Sequence, residues 1–373
     1  MAPISFQQII RHIRRRHVPD FRYFPRGWAL PPIDVTLELT YSCNLNCPMC
    51  YQKAVQSSPS PSTPPTMPSV DDYHRLILRL KPYQPTFRLT GGEPMLYPAF
   101  FDIARFIKKH NLRLIMPTNG TRIASRATEL VALPIDLIIV TLNGPESVHD
   151  SAVGKPGSFQ ASIEGIKSIL HERHARGSAH PRVFINAVWS PPAPAAMPEL
   201  VKLATDLGVD AISFTHVWYW NAEAVENQFR QFPQFGRLIP THPGAVAGMP
   251  SDAIIDAINI VRKMPAAIPR HFYPDLTDDQ IRTYYRDGSI PVTETVCQIP
   301  WLTVYIRPTG DVAPCYLNHS VGSIQNQDFF SIWNGQAYRS FRRELRRSGP
   351  FPACLRCTGS FLFKESGDGR TCL

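Results

Sequence analysis

"DVTLELTYSCNLNCPMCYQK", residues 34–53, decides how the rest of the chain is read. Its first seven residues alternate apolar and polar side chains, the period of a strand. They run directly into three cysteines within eight positions, Cys43, Cys47 and Cys50. A closed structural zinc site takes four ligands. The next cysteine is Cys297, and the nearest following histidine is His74. Three thiols beside an open fourth position suit a group that is not supplied by the protein.

Outward from this stretch, strands and helices alternate. "SVDDYHRLILRLKPY" reads as a helix capped by Ser69, with Asp71 and Asp72 in its first turn. Strand "TFRLT" follows, then the turn "GGEP" and helix "PAFFDIARFIKKH". Strand "LRLIMPTNG", helix "ASRATELVAL", strand "DLIIVTLNG", helix "GSFQASIEGIKSILHERHA", strand "RVFINAV", helix "MPELVKLATDLG" and strand "AISFTHVWYW" complete the series to residue 220. Alternation of this kind predicts right-handed βα units around a parallel sheet. The fold class expected is α/β, a partial (β/α)6 barrel, because six units are too few to close an eight-stranded one. In parallel α/β folds chemistry gathers beyond the carboxyl ends of the strands. The cysteine triplet, "GGEP", "TNG", "TLNG" and "HVWYW" all fall there.

Composition sets the frame. The chain has 373 residues, 43% of them hydrophobic, and a net charge of +9. No apolar run reaches the ~18 residues of a membrane span, and the N-terminus turns basic too early for a secretory signal. A soluble, cytoplasmic protein is expected, in which eight cysteines serve as metal ligands or reactive groups rather than disulfides. Proline is over-represented, 37 residues, concentrated in loops such as 57–69 and 190–198. "RHIRRRH" (11–17) and "RSFRRELRRS" (339–348) carry much of the positive charge. A solvated face is the ordinary reading of such runs, with peripheral contact to an anionic membrane as the alternative at the N-terminus. No zinc-finger, RNP or helix-turn-helix pattern supports nucleic-acid binding.

Cys-x3-Cys-x2-Cys after the first strand and Gly91-Gly92-Glu93-Pro94 after the second resemble the radical S-adenosylmethionine (SAM) enzymes. The resemblance implies a [4Fe–4S] cluster held by Cys43, Cys47 and Cys50, with SAM on its fourth iron. Such a cluster cleaves SAM reductively to a 5′-deoxyadenosyl radical, which abstracts hydrogen from an unactivated carbon. It also assigns Gly91, Gly92 and Glu93 to the turn whose main chain approaches the methionine amino group. Asn119, Thr141 and Asn143 match strand-end positions that touch SAM, and Met49 and Tyr51 flank the third cysteine on the cofactor side. Met49 stands where an aromatic residue is frequent. An arginine common after the His149-Asp150 pair is missing, with Gly154 and Lys155 in its neighbourhood.

A second constellation follows. Cys297, Gly310, Cys315 in a G-x4-C arrangement, and Cys354-Leu355-Arg356-Cys357 resemble the SPASM/twitch extension of the same enzymes. The shorter twitch form, a small α+β domain with one auxiliary [4Fe–4S] cluster held by Cys297, Cys315, Cys354 and Cys357, is the fit. A four-cysteine zinc ribbon is the alternative. "WLTVYIRPTGDVAPCY" reads as a hairpin turning at Pro308-Thr309-Gly310, and "FFSIWNGQAYRSFRRELRR" as one helix. Cys372 reads as a spare thiol.

The domain plan expected is a basic extension (1–33), the barrel (34–220), a connector walling the substrate cavity (221–293), and the auxiliary-cluster domain (294–373). Within the connector one helix is expected, at "SDAIIDAINIVRKM". His216 and His319 read first as structural histidines, second as proton-transfer groups. The activity expected is oxidation or bond formation on a small biosynthetic metabolite, with an external flavodoxin- or ferredoxin-like electron donor. A peptide maturase working with a separate recognition partner, and a lipid-modifying enzyme, are the alternatives.

Overall fold

The computed structural model describes residues 25–50, 52, 67–189, 193–235, 249–265, 267–286, 292, 297–317 and 319–361. The basic segment 11–17, Tyr51, most of the proline-rich loop and Cys372 lie outside the described residues. Strands β1 (Asp34–Glu38), β2 (Thr86–Thr90), β3 (Arg113–Thr118), β4 (Leu137–Thr141), β5 (Arg182–Trp189) and β6 (Ala211–His216) are the six expected, each pairing in parallel with the next. Their helices are α1 (Val70–Leu80), α2 (Phe100–Lys109), α3 (Ala127–Ala132), α4 (Glu146–Val153), α5 (Ser158–Ala175) and α6 (Met197–Leu207). Ser69 caps α1 as predicted: its hydroxyl accepts the Asp72 N–H while the Asp72 carboxylate accepts the Ser69 N–H.

The sheet extends further than six strands on both sides. Beyond helices α7 (Ala222–Gln231) and α8 (Ser251–Lys263), β7 (Arg270–Tyr273) adds in parallel to β6, and α9 (Asp278–Arg286) follows it. At the other edge β8 (Thr303–Ile306) pairs in parallel with β1, and β9 (Val312–Ala313) returns antiparallel to β8. The order is β7-β6-β5-β4-β3-β2-β1-β8-β9, so one sheet runs through the segments read as barrel, connector and C-terminal domain. The β8–β9 turn closes as expected, through Gly310 N–H to Arg307 O at 2.8 Å, with Gly310 at φ 81°.

The C-terminal helix departs from expectation. It breaks into α10 (Phe329–Trp333) and α11 (Gln336–Ser348) at Asn334-Gly335. The Asn334 amide exchanges two hydrogen bonds with the Ala29 main chain, and Gly335 takes an extended conformation. The intervening asparagine is thus spent on the chain entering β1 rather than on helix continuity.

The two sheet faces differ in character. Val35, Leu37, Phe87, Leu114, Met116, Ile138, Val140, Ile185 and Phe214 pack in the large core with the helices. The register puts Thr36, Arg88, Ile115, Phe184 and Tyr305 on the other face, where a small separate cluster of Ile115, Leu137, Ile139, Phe184 and Ala211 sits. That inner face is otherwise polar. Arg88 pairs with Asp34 at 3.0 Å, and the Asn186 side-chain oxygen accepts both the Ser213 and Thr215 hydroxyls at 2.8 Å.

Candidate functional site

The three-cysteine loop leaves the carboxyl end of β1 and is held by three neighbours. From β2, the Gly92 N–H donates to Thr40 O at 2.7 Å and the Glu93 N–H to Ser42 O at 2.9 Å. From the α4–α5 connection, Val153 O accepts the Asn46 N–H at 3.0 Å, and Lys155 Nζ donates to Asn44 O at 3.2 Å. From β3, Asn119 Nδ2 donates to Asn44 Oδ1 at 2.9 Å and reaches Cys43 Sγ at 3.9 Å. Cys43 Sγ also accepts the Leu45 N–H at 3.4 Å. Cys43 is exposed, Cys47 and Cys50 half-buried.

Main chain of the segment leaving β1 fills the space beside the paired glycines. A Cβ on Gly91 would stand 2.5 Å from Thr40 O, and one on Gly92 would stand 2.2 Å from Ser42 O. The Glu93 side chain turns inward and is fully buried. Its carboxylate accepts the Thr118 hydroxyl, the Asn119 N–H at 2.9 Å and the Met95 N–H at 3.3 Å. Burial pushes its pKa up to about 6 against the pull of these donors. Glu93 therefore ties the end of β2 to the end of β3 through its side chain, while its N–H holds the cysteine loop.

The other residues assigned from the resemblance divide. Asn119 and Thr141 are half-buried at the rim, and Met49 packs against the core from the cysteine loop. Asn143 is buried, its oxygen accepting the Val188 N–H at 3.0 Å, so its amide NH2 is the part left for a ligand. The Asn143 N–H donates to His149 Nδ1 at 3.1 Å, and burial lowers the His149 pKa to about 4. His216 pairs in register with Trp189 on the helix-facing side of the sheet, and burial takes its pKa to about 3. Its ring faces away from the inner surface, with Nδ1 2.8 Å from Tyr285 Oη. His319 stacks on Phe341 and is likewise lowered by burial.

The second cysteine set gathers as expected. Cys297, Cys315, Cys354 and Cys357 line one pocket with Trp220, Tyr316, Phe341, Leu345 and Phe351, enclosing about 420 Å³ counted to its mouth. Burial pushes the Cys315 thiol up to about 12, with Arg307 pulling it down, and burial together with the other three sulfurs raises Cys354 well above its ordinary value. Among the described residues, no three Cys, His, Asp or Glu side chains are arranged to hold a single ion. An all-sulfur donor set around an apolar pocket fits an iron–sulfur cluster, and three thiols on an exposed loop fit one with an open iron. Ligation requires thiolates, so bound iron would have to overcome the cost of charging these buried sulfurs.

The two sets belong to one rim. Trp220 Nε1 donates to Ala353 O at 2.8 Å, and Tyr273 Oη donates to Thr358 O at 2.8 Å. Tyr284 Oη lies 2.9 Å from both Val217 O and Arg356 O. Arg356, inside the Cys354–Cys357 pair, returns bonds to Tyr284 O at 2.7 Å and Thr283 O at 3.0 Å, capping α9. The sequence reading missed a further link. Glu38, fully buried at the end of β1, accepts Arg307 Nη1 at 2.8 and 3.0 Å, while Arg307 Nη2 reaches the carbonyls of Cys315, Tyr316 and Leu317 at 3.2–3.4 Å. A glutamate on a strand of a sheet buried on both faces was the available signal.

Two family models and several known proteins resemble this chain. The Radical SAM superfamily model matches residues 37–176, and the iron-sulfur cluster-binding SPASM model matches residues 297–358. The tungsten-containing aldehyde ferredoxin oxidoreductase cofactor-modifying protein of Pyrococcus furiosus is 24% identical over 344 residues, 86% of each chain. An AdoMet-dependent heme synthase of Methanosarcina barkeri is 25% identical over 338 residues, 86% of this chain and 87% of that one. The antilisterial bacteriocin subtilosin biosynthesis protein AlbA of Bacillus subtilis is 26% identical over 347 residues, 89% of this chain and 67% of that one. Streptococcus suis SuiB, solved with its precursor peptide SuiA, shares the fold at TM-score 0.62 and 15% identity, over 95% of this chain and 77% of that one.

Proposed function

Because the chain carries a radical SAM domain followed by a SPASM-type iron–sulfur domain, we propose that it oxidises or forms a bond at an unactivated carbon of a small biosynthetic metabolite. The observation that carries this reading is the four-cysteine pocket hydrogen-bonded to the rim that bears the three-cysteine loop. With cluster and SAM bound, the first loop supplies one-electron chemistry that removes a hydrogen atom. The chain's own residues do the positioning. Asn119, Lys155 and the Gly92 turn fix the cysteine loop, Glu93 ties β2 to β3, and Tyr284 and Trp220 hold the auxiliary pocket over the rim.

Likeness along most of the chain to a cofactor-modifying protein and to heme synthases supports a preformed cofactor or tetrapyrrole intermediate as substrate. A flavodoxin- or ferredoxin-like donor would supply the electron. A peptide maturase is the second reading, favoured by the likeness to AlbA. Anaerobically reconstituted protein, given SAM and a chemical reductant, tests the two. Formation of 5′-deoxyadenosine should rise several-fold with a tetrapyrrole precursor and not with a cysteine-containing peptide. Stimulation by the peptide alone would transfer the assignment to the second reading.

A further inference from the structure

Each electron placed on an iron–sulfur cluster adds negative charge, so buried charges near its ligands set how readily it is reduced. The four-cysteine pocket is lined mainly by apolar side chains, which by themselves disfavour that added charge. One buried ion pair stands against it. Arg307 is 5% exposed, and its Nη2 reaches the main-chain carbonyls of Cys315, Tyr316 and Leu317, all three of which line the pocket. Its other nitrogen is taken up by Glu38, which is fully buried and belongs to β1, the strand that leads into the three-cysteine loop. The guanidinium thus lies between the Glu38 carboxylate and the main chain of the pocket-lining segment Cys315–Leu317.

We infer that Arg307 is a positioning residue that raises the reduction potential of the cluster held by Cys297, Cys315, Cys354 and Cys357, and that Glu38 sets how much of this charge the cluster feels. The inference rests on the reading of that pocket as an auxiliary cluster site. Its content is electrostatic, and the two members of the pair act with opposite sign. Removing the guanidinium makes reduction harder. Removing the carboxylate while leaving the guanidinium makes it easier. A merely structural role would not separate them, because loss of either partner loosens the same β1–β8 contact.

The test uses the full chain with Cys43, Cys47 and Cys50 all changed to Ala, so that only the second cluster remains, and follows its reduction by potentiometric titration with EPR. Arg307→Gln should shift the one-electron equilibrium at least tenfold towards the oxidised form, 59 mV. Glu38→Gln should shift it the opposite way, and Arg307→Lys, which keeps the charge, should stay near the parent. Should Arg307→Gln fail to retain iron, the Glu38→Gln shift decides alone. Shifts of the same sign in both variants, or none in a variant that retains its cluster, would overturn the inference. If the parent triple variant itself holds no iron–sulfur cluster, the reading of the pocket falls first, and the inference with it.

Discussion

Replacing Gly92 by alanine separates two explanations of the paired glycines. If the glycine serves only to let a cofactor approach, the apoprotein should tolerate the change. Alanine would even stabilise it by ~0.4–1 kcal/mol through the unfolded chain, since the Gly92 φ is not in the left-handed region. The structure predicts otherwise. The new methyl would lie 2.2 Å from Ser42 O and 2.7 Å from Tyr41 O, main-chain atoms that cannot rotate away. Relief requires the strand-end segments to part, which strains the bonds from Gly92 N–H to Thr40 O and from Glu93 N–H to Ser42 O. Overpacking of this kind costs ~1–3 kcal/mol, and each lost hydrogen bond ~0.5–1.5 kcal/mol, so ~2–6 kcal/mol of local stability is at stake. Hydrogen exchange of the anaerobic apoprotein reads it directly at the amides of residues 39–46 and 91–93, without assuming that so large a chain unfolds in one step. Exchange there should accelerate at least tenfold, and reconstituted iron on the first loop should fall. Unchanged or slower exchange in the apoprotein, with only SAM affinity reduced, would refute the reasoning.

Iron analysis of reconstituted protein should give about eight irons per chain, the content of two [4Fe–4S] clusters, and changing Cys43, Cys47 and Cys50 to Ala should remove about half; one zinc beside about four irons would remove the second cluster from the account. Cys43→Ala should abolish SAM cleavage, whereas Cys354→Ala should retain some cleavage and lose product, and full product formation by a folded Cys354→Ala protein would contradict that division. Acid should destabilise the apoprotein below neutrality. His149 and His216, at about 4 and about 3 in the fold against 6.5 free, leave the unfolded chain binding protons that the folded chain refuses as pH falls from 6.5. Glu93, raised to about 6, acts the other way between 6 and 4.5. At ~1.4 kcal/mol per unit for each group, the two histidines outweigh it by ~3 kcal/mol at pH 4.5. Denaturant stability that rises from pH 6.5 to 4.5 would refute this balance.

What the sequence disclosed and what it withheld divide along range. Strand "DVTLELT" and the Ser69 cap are statements about neighbours within a few residues; the structure keeps the first five residues of the strand as β1 and places the cap as read. The addition of β8 to β1 joins residues 303–306 to 34–37, and no local period encodes that pairing. β7, "RHFY", is too short to show a period of its own, yet the edge of a sheet accepts such a strand. The same limit governs the site. Glycines could be recognised as a close-approach device, but that the main chain of residues 39–42 crowds their Cβ positions depends on the β1 and β2 ends meeting. Glu38 was visible as the polar member of an alternating strand, and alternation assigns such a residue to solvent. In a parallel sheet the second face is buried as well, so a charged residue there must find a partner. Its partner, Arg307, lies 269 residues away and brings the carbonyls of the Cys315 loop with it. A charge on the first strand was therefore already evidence of a second strand carrying its opposite, and of a contact between the two cysteine sets that neither motif announces alone.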